Sequence, residues 1–103
     1  MKIGVISYLL RHHDTKSAME FLKEIGFEYT ELDFRHADGL CDYHEDKAVK
    51  KGVNARNVLK NNGITPSAYC VGGLRKQDIP YLDNVFNFAK GLGVNVITGV
   101  LDP

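Results

Sequence analysis

Apolar positions along the chain fall into two rhythms that alternate three times. A run with apolar residues at helical spacing closes on a glycine, a bulky residue follows, and a short strand-like run begins. Gly26-Phe27 leads into Tyr29-Thr30-Glu31-Leu32-Asp33-Phe34, Gly63-Ile64 into residues 67–71, and Gly93-Val94 into residues 96–101. The glycines stand 37 and 30 residues apart, which suits one αβ unit each. Just past a helix end the chain commonly turns left-handed, a conformation glycine reaches without steric cost. Ahead of the first glycine, Ser17-Ala18-Met19-Glu20 reads as a capping box, with Ala18, Phe21, Leu22 and Ile25 on one buried face. A second helix is expected over residues 46–62 with Ala55, Val58 and Leu59 inward, weakened locally by Gly52. The third takes Asp78 as N-cap, tolerates Pro80 in its first turn, and buries Leu82, Val85, Phe86 and Ala89. Residues 2–10, with Ile3-Gly4-Val5-Ile6 at their centre, read as an opening strand. The order is β-α-β-α-β-α-β, and strands separated by helices pair in parallel. The expected fold is therefore α/β, four parallel strands alternating with three helices.

Composition narrows the function without naming one. The 103 residues carry 13 Lys and Arg against 13 Asp and Glu, with 44% hydrophobic, enough for one modest core and one domain. A net charge of zero without long basic runs gives no electrostatic support for nucleic-acid binding. The apolar runs are too short for a membrane span or signal peptide, so the expected location is cytoplasmic. Cys41 and Cys70 form no C-x-x-C motif and read as free thiols.

In a parallel α/β sheet, ligands gather at the carboxyl ends of the strands. Those loops hold all four histidines: Arg11-His12-His13-Asp14 after the first strand, residues 35–46 after the second, Gly72 to Gln77 after the third, and Asp102-Pro103 after the fourth. Neither G-x-G-x-x-G nor G-x-x-x-x-G-K-[ST] is present. Gly72-Gly73 reads as a turn, with an anion nest beside Arg75 and Lys76 as the functional reading. His36, Asp38, Cys41, Asp42 and His44 are all metal-competent, but their spacing matches no closed zinc motif, and a solvated polar loop is the better reading. Adjacent His12 and His13 read as surface residues. Glu31 and Asp33 lie two apart on a strand and so share a face, opposite Thr30, Leu32 and Phe34. Two carboxylates on an interior face need cations, hydrogen bonds or a metal. Lys2, Arg11 or Arg35 could also satisfy them with no chemistry involved.

Four stretches in order, spanning essentially the whole chain, resemble one family. Lys2-Ile3-Gly4-Val5-Ile6-Ser7-Tyr8-Leu9-Leu10-Arg11 is similar to a first strand of the form K-I-G-V-Q-x-Y-S-L-R, and Gly26-Phe27-Glu28-Tyr29-Thr30-Glu31-Leu32 to G-[YF]-x-x-[VI]-E-L. Asn62-Gly63-Ile64 to Ser67 resembles the approach to the third strand, and Ala89-Lys90-Gly91-Leu92-Gly93 the A-x-x-L-G before the fourth. These are features of sugar phosphate isomerase/epimerase proteins with the xylose isomerase-like barrel. The resemblance implies that residues 1–103 form a single partial domain, the N-terminal half of a (β/α)8 TIM barrel. It implies a metal-dependent carbohydrate isomerase or epimerase that moves a proton next to a carbonyl, with a sugar or sugar phosphate as its partner. The divalent ion (Mn, Mg, Co or Zn) belongs to the complete protein and is held by residues outside this chain, so the half alone is expected to be inactive. Tyr8, Glu31 and the loop after Val71 match places where the family lines its substrate pocket, and the residues assigned to binding are Tyr8, Glu31, Asp33, His36 and Gly72. No histidine ends the third or fourth strand, a departure that counts against a nuclease-like multi-metal site.

A half-barrel has open edges. Three outcomes follow: a fragment of a longer protein, which is the leading expectation, two copies pairing into a homo-oligomer through the open edges, or a flavodoxin-like sandwich with helices on both faces. The competing function is a small non-catalytic α/β module that binds a partner or self-associates. A third is a metal-binding module built on residues 36–44.

Overall fold

The computed structural model describes residues 4–101. Readings that fall on Lys2, Ile3, Asp102 and Pro103 lie outside them. β1 (Gly4–Ile6) runs into a 3-10 turn (Ser7–Leu10), then come α1 (Thr15–Ile25), β2 (Tyr29–Asp33), α2 (Ala48–Asn61) and β3 (Thr65–Leu74). A second 3-10 turn (Lys76–Tyr81), α3 (Leu82–Leu92) and β4 (Ile97–Leu101) complete the chain. The strands form one sheet in the order β1-β2-β3-β4, every neighbouring pair parallel. The fold is α/β, with four parallel strands and three α-helices, as the pattern predicts.

Strand order decides where the helices lie. Parallel crossovers are right-handed, so helices that always step the same way across a sheet stack on one face, whereas an order that reverses direction places them on both. Here α1 packs on α2 and α2 on α3. One core joins Met19 and Leu22 of α1, Ala55 and Leu59 of α2, and Phe88 and Leu92 of α3 to Leu32, Tyr69 and Val71 of the sheet. The flavodoxin-like alternative is thereby excluded. Register sorts the sheet residues. Leu32, Tyr69 and Ile97 are paired neighbours facing the helices, while Asp33, Cys70 and Thr98 form the next row, facing away. Stacking of Tyr69 on Phe88, with centroids 4.4 Å apart, ties β3 to α3.

Several local expectations are corrected. The cap of α1 is Asp14, whose carboxylate accepts the Ser17 backbone N–H at 2.7 Å, so Ser17 lies inside the helix and opens no capping box. α1 buries Thr15, Ala18, Met19 and Leu22 and leaves Phe21 and Ile25 exposed; α3 buries Val85, Phe88, Ala89 and Leu92 and leaves Phe86 60% exposed. Each helix is apolar over an arc broad enough to admit two rotations, and the sheet selects the one that seats Met19 and Phe88. Asp78 does not cap α3. It sits in the preceding 3-10 turn, which also contains Pro80, and accepts the Arg75 N–H at 2.8 Å. The opening strand stops at Ile6. β3 is longer than expected, so that Gly72 and Gly73 belong to it, with Gly72 at φ 64° and the register with β4 shifting between Cys70 and Gly73.

Gly52 does more than weaken α2. A Cβ there would collide with the Phe88 carbonyl oxygen, and one at Gly91 with that of Val49. The two glycines let α2 and α3 approach backbone to backbone.

Candidate functional site

β2 ends on Asp33, and the chain turns there because the Asp33 carboxylate accepts the Arg35 backbone N–H at 2.9 Å, an Asx-type turn. That turn returns the Arg35 side chain to the same carboxylate. Nε donates to Oδ1 at 2.9 Å and Nη2 to Oδ2 at 2.8 Å, a bidentate pair in which the Asp33 side chain is 0% exposed and the Arg35 side chain 38% exposed. These bonds hold the Arg35 pKa above its ordinary value. The guanidinium also covers Gly72, where a Cβ would come within 3.0 Å of Nη2. Its Cζ lies 4.3 Å from the centre of the Tyr8 ring, and the Arg11 Cζ lies 4.1 Å from the same centre. The carboxyl ends of β1, β2 and β3 are thus bound into one corner by an aromatic ring, two guanidiniums and a buried carboxylate.

Behind this corner runs a hydrogen-bonded chain. His36 Nδ1 contacts the His13 carbonyl oxygen at 3.3 Å, and a carbonyl can only accept, so Nδ1 carries the proton. Nε2 then accepts from the Ser7 hydroxyl at 2.8 Å, and the Ser7 oxygen in turn accepts the Asp33 N–H at 2.8 Å. Each polar atom has a complementary partner when Nδ1 donates and Nε2 accepts. His36 is buried and positions the loops.

Of the residues assigned to binding, Tyr8, Asp33 and Gly72 come together directly around Arg35, and His36 supports them from behind. Glu31 stands apart. It lines a shallow recess of about 390 Å³ with Gly4, Val5, Ile6 and Ser67. Among the described residues no cation reaches ion-pair distance of its carboxylate. Of the two carboxylates expected to share a face and to need partners there, Asp33 is buried and paired with Arg35, and Glu31 is half-buried at the recess. Ser7 was not singled out by the sequence, since a lone serine at a strand end carries no spacing signal.

The loop between β2 and α2 is not the solvated segment its composition suggests. Cys41 and Tyr43 lie in the core. Asp38 accepts the Thr15 N–H at 3.1 Å and its hydroxyl at 3.0 Å, while Cys41 packs 3.4 Å from that hydroxyl. Burial pushes the Cys41 thiol up to about 12 and the Tyr43 phenol to about 12. The Tyr69 hydroxyl donates to the Cys41 carbonyl at 2.5 Å, and burial raises its pKa as well. His44 stacks on Tyr43 and faces Asp42 at 2.5 Å and Asp78 at 3.5 Å. The metal-competent side chains thus divide among three places: Asp38 and Cys41 at the Thr15 hydroxyl, Asp42 and His44 against each other, and His36 at Ser7. Among the described residues no group of three or more His, Cys, Asp and Glu is placed to hold a metal ion.

Comparison with known proteins adds a fold match and no family. No family model matches the chain, and no curated protein matches it. The crystal structure of an uncharacterized protein from Parabacteroides distasonis ATCC 8503 superposes with a TM-score of 0.73 at 19% identity, covering 98% of this chain. The chain spans 43% of the length of that protein. The likeness establishes a shared fold.

Proposed function

We propose that this chain is the N-terminal half of a (β/α)8 barrel, of the xylose isomerase-like type, in a metal-dependent sugar or sugar-phosphate isomerase or epimerase. The observation that carries this reading is the unreversed strand order with its helices on one face, which is how half of such a barrel is wound. The Asp33-Arg35-Tyr8 corner at the carboxyl ends, where barrels of this kind bind substrate, supports it. So does the match to less than half of a longer chain. In this reading Tyr8, Glu31 and Gly72 border the carbohydrate, Asp33 and His36 hold the corner in shape, and the divalent ion is bound by later strands. Its chemistry would be polarisation of the carbonyl while a base moves the neighbouring proton. The proposed location is cytoplasmic; among the described residues no helix is long and apolar enough to cross a membrane. The test is solvent-deuterium exchange into a panel of ketoses and their phosphates with Mn²⁺ or Mg²⁺. The 103 residues alone should give none, whereas a polypeptide joining them to the remaining four βα units should exchange the proton next to the carbonyl. Turnover by the short chain, or silence from the complete barrel, overturns the proposal.

A second reading, self-association as a non-catalytic module, is favoured by one observation. Phe86, Val96 and Val100 are exposed on or beside β4, whose outer edge has no partner strand among the described residues. Sedimentation separates the two. A discrete dimer that melts cooperatively supports the module, and open-ended association that disappears when further βα units are joined supports the half-barrel.

A further inference from the structure

We infer that His44 is a pH-operated latch, which fastens the loop after β2 to the 3-10 turn before α3 when its ring carries two protons and releases it when the ring carries one. This goes beyond the reading above and does not depend on which reaction the corner serves. Asp42 Oδ1 accepts the His44 backbone N–H at 3.0 Å and lies 2.5 Å from Nδ1; a carboxylate can only accept, so Nδ1 carries a proton. Across the ring, Nε2 lies 3.5 Å from Asp78 Oδ1. In the neutral ring that contact sets an unprotonated nitrogen against a carboxylate oxygen, two acceptors with no hydrogen between them. A second proton, on Nε2, turns the same contact into a charge-assisted hydrogen bond between imidazolium and carboxylate.

The surroundings hold both halves of the latch in place. Asp78 Oδ2 accepts the Arg75 backbone N–H at 2.8 Å, and the Asp78 N–H donates to the Arg75 carbonyl at 2.9 Å. That bond from the Arg75 backbone keeps the Asp78 carboxyl below its ordinary value, so it is ionised throughout the range in which an imidazole titrates. The His44 ring stacks on Tyr43 with centroids 4.2 Å apart and meets Tyr81 of the turn edge-on at 5.0 Å, with Phe34 at 6.1 Å. The titratable and charged groups facing it are therefore Asp42 and Tyr43 from its own loop and Asp78 and Tyr81 from the turn, with Arg75 beyond Asp78. The His44 side chain is 36% exposed and that of Asp78 17%, so a proton reaches the ring from solvent while the contact it controls is half-sheltered. The loop that carries His44 also carries Arg35 and His36, so the latch joins the second and third βα loops beside the Asp33-Arg35 corner. His36 works in the opposite direction, since a proton on its Nε2 would displace the bond accepted from the Ser7 hydroxyl.

Amide hydrogen exchange of the 103-residue chain, expressed as protection factors at about pH 8 and about pH 5, tests the latch. Protection of residues 42–47 and 76–81 should be about tenfold higher at the lower pH, with α1 and the core of β3 as the unchanged reference. His44→Gln should abolish the difference, because the amide stays neutral. Asp78→Asn keeps an oxygen for the Arg75 N–H and loses the charge, so it should remove most of the difference while its circular dichroism matches wild type. Equal protection at the two pH values in wild type, or a difference that persists in either variant, overturns the latch. So does protection that falls on acidification, the result expected if loss of the His36–Ser7 bond governs the loop instead.

Discussion

At the scale of single residues, what stands out is how much of the carboxyl-end corner is held by a few polar contacts. Asp33 is fully buried and has Arg35 as its cation, so Arg35→Met leaves a buried carboxylate unpaired. The expected loss in stability by urea unfolding is about 2 kcal/mol, below the usual range for a broken buried pair because the guanidinium is partly solvated. The caps give a pH dependence with a definite sign. Hydrogen bonding to the Ser17 backbone lowers the Asp14 pKa below 3.8, and hydrogen bonding to the Arg75 backbone does the same for Asp78. A lowered folded-state pKa adds stability that is present above the unfolded value and is lost as pH falls through the folded one. Melting temperatures of wild type and Asp14→Asn should therefore differ at neutral pH and converge as the pH drops below about 3.8. Glu31 and Asp33 could be picked from the sequence by residue type and strand position, His36 by residue type in the loop after β2, and Tyr8 only through the family resemblance. The assignment of Asp33 to Arg35, and of His36 to Ser7 and His13, could not, because pairing depends on the turn after β2 and on the loop after β1 meeting it in space.

Helices and strands were largely legible as elements, and their boundaries and rotations were not. Gly26, Gly63 and Gly93 all have positive φ just after a helix, as the punctuation predicts. Gly52 is the instructive exception. Propensity marks it as a weak point, yet it is where α2 meets α3. Gly52→Ala should lower the melting temperature despite a gain of up to about 1 kcal/mol in helix propensity, because the new methyl group pushes into the Phe88 carbonyl. A rise in melting temperature would show that the helices can separate at no cost. The rotations of α1 and α3 depart from the faces the periodicity predicts for a related reason. Periodicity locates an apolar arc, while the neighbouring layer chooses which part of the arc to cover.

The whole molecule is a sheet with one covered face. Its core lies between the sheet and the three helices, whereas Val100 on the other side is 66% exposed and Phe86 borders an apolar groove of about 390 Å³ with Ala89, Val94 and Ile97. Exposed apolar surface beside an open parallel strand favours association. Sedimentation velocity of the chain should show a concentration-dependent increase in size. Val100→Lys should reduce that increase with little effect on the unfolding midpoint, since the residue makes no part of the core. Concentration-independent monomers in wild type would count against the open edge as a contact surface.

The alternation of strands and helices, the parallel sense of the sheet and the place of the polar chemistry at the carboxyl ends are all readable along the chain. Those properties follow from local periodicity, from turn residues and from the length of the crossovers. The folded chain was needed to see that the strands run in unreversed order, that the 34–47 loop folds its cysteine and tyrosine inward, and that two arginines pack on the Tyr8 ring beside a buried aspartate. These depend on contacts between residues distant along the chain, whose energy is set by which surfaces meet and is invisible in any single stretch of sequence.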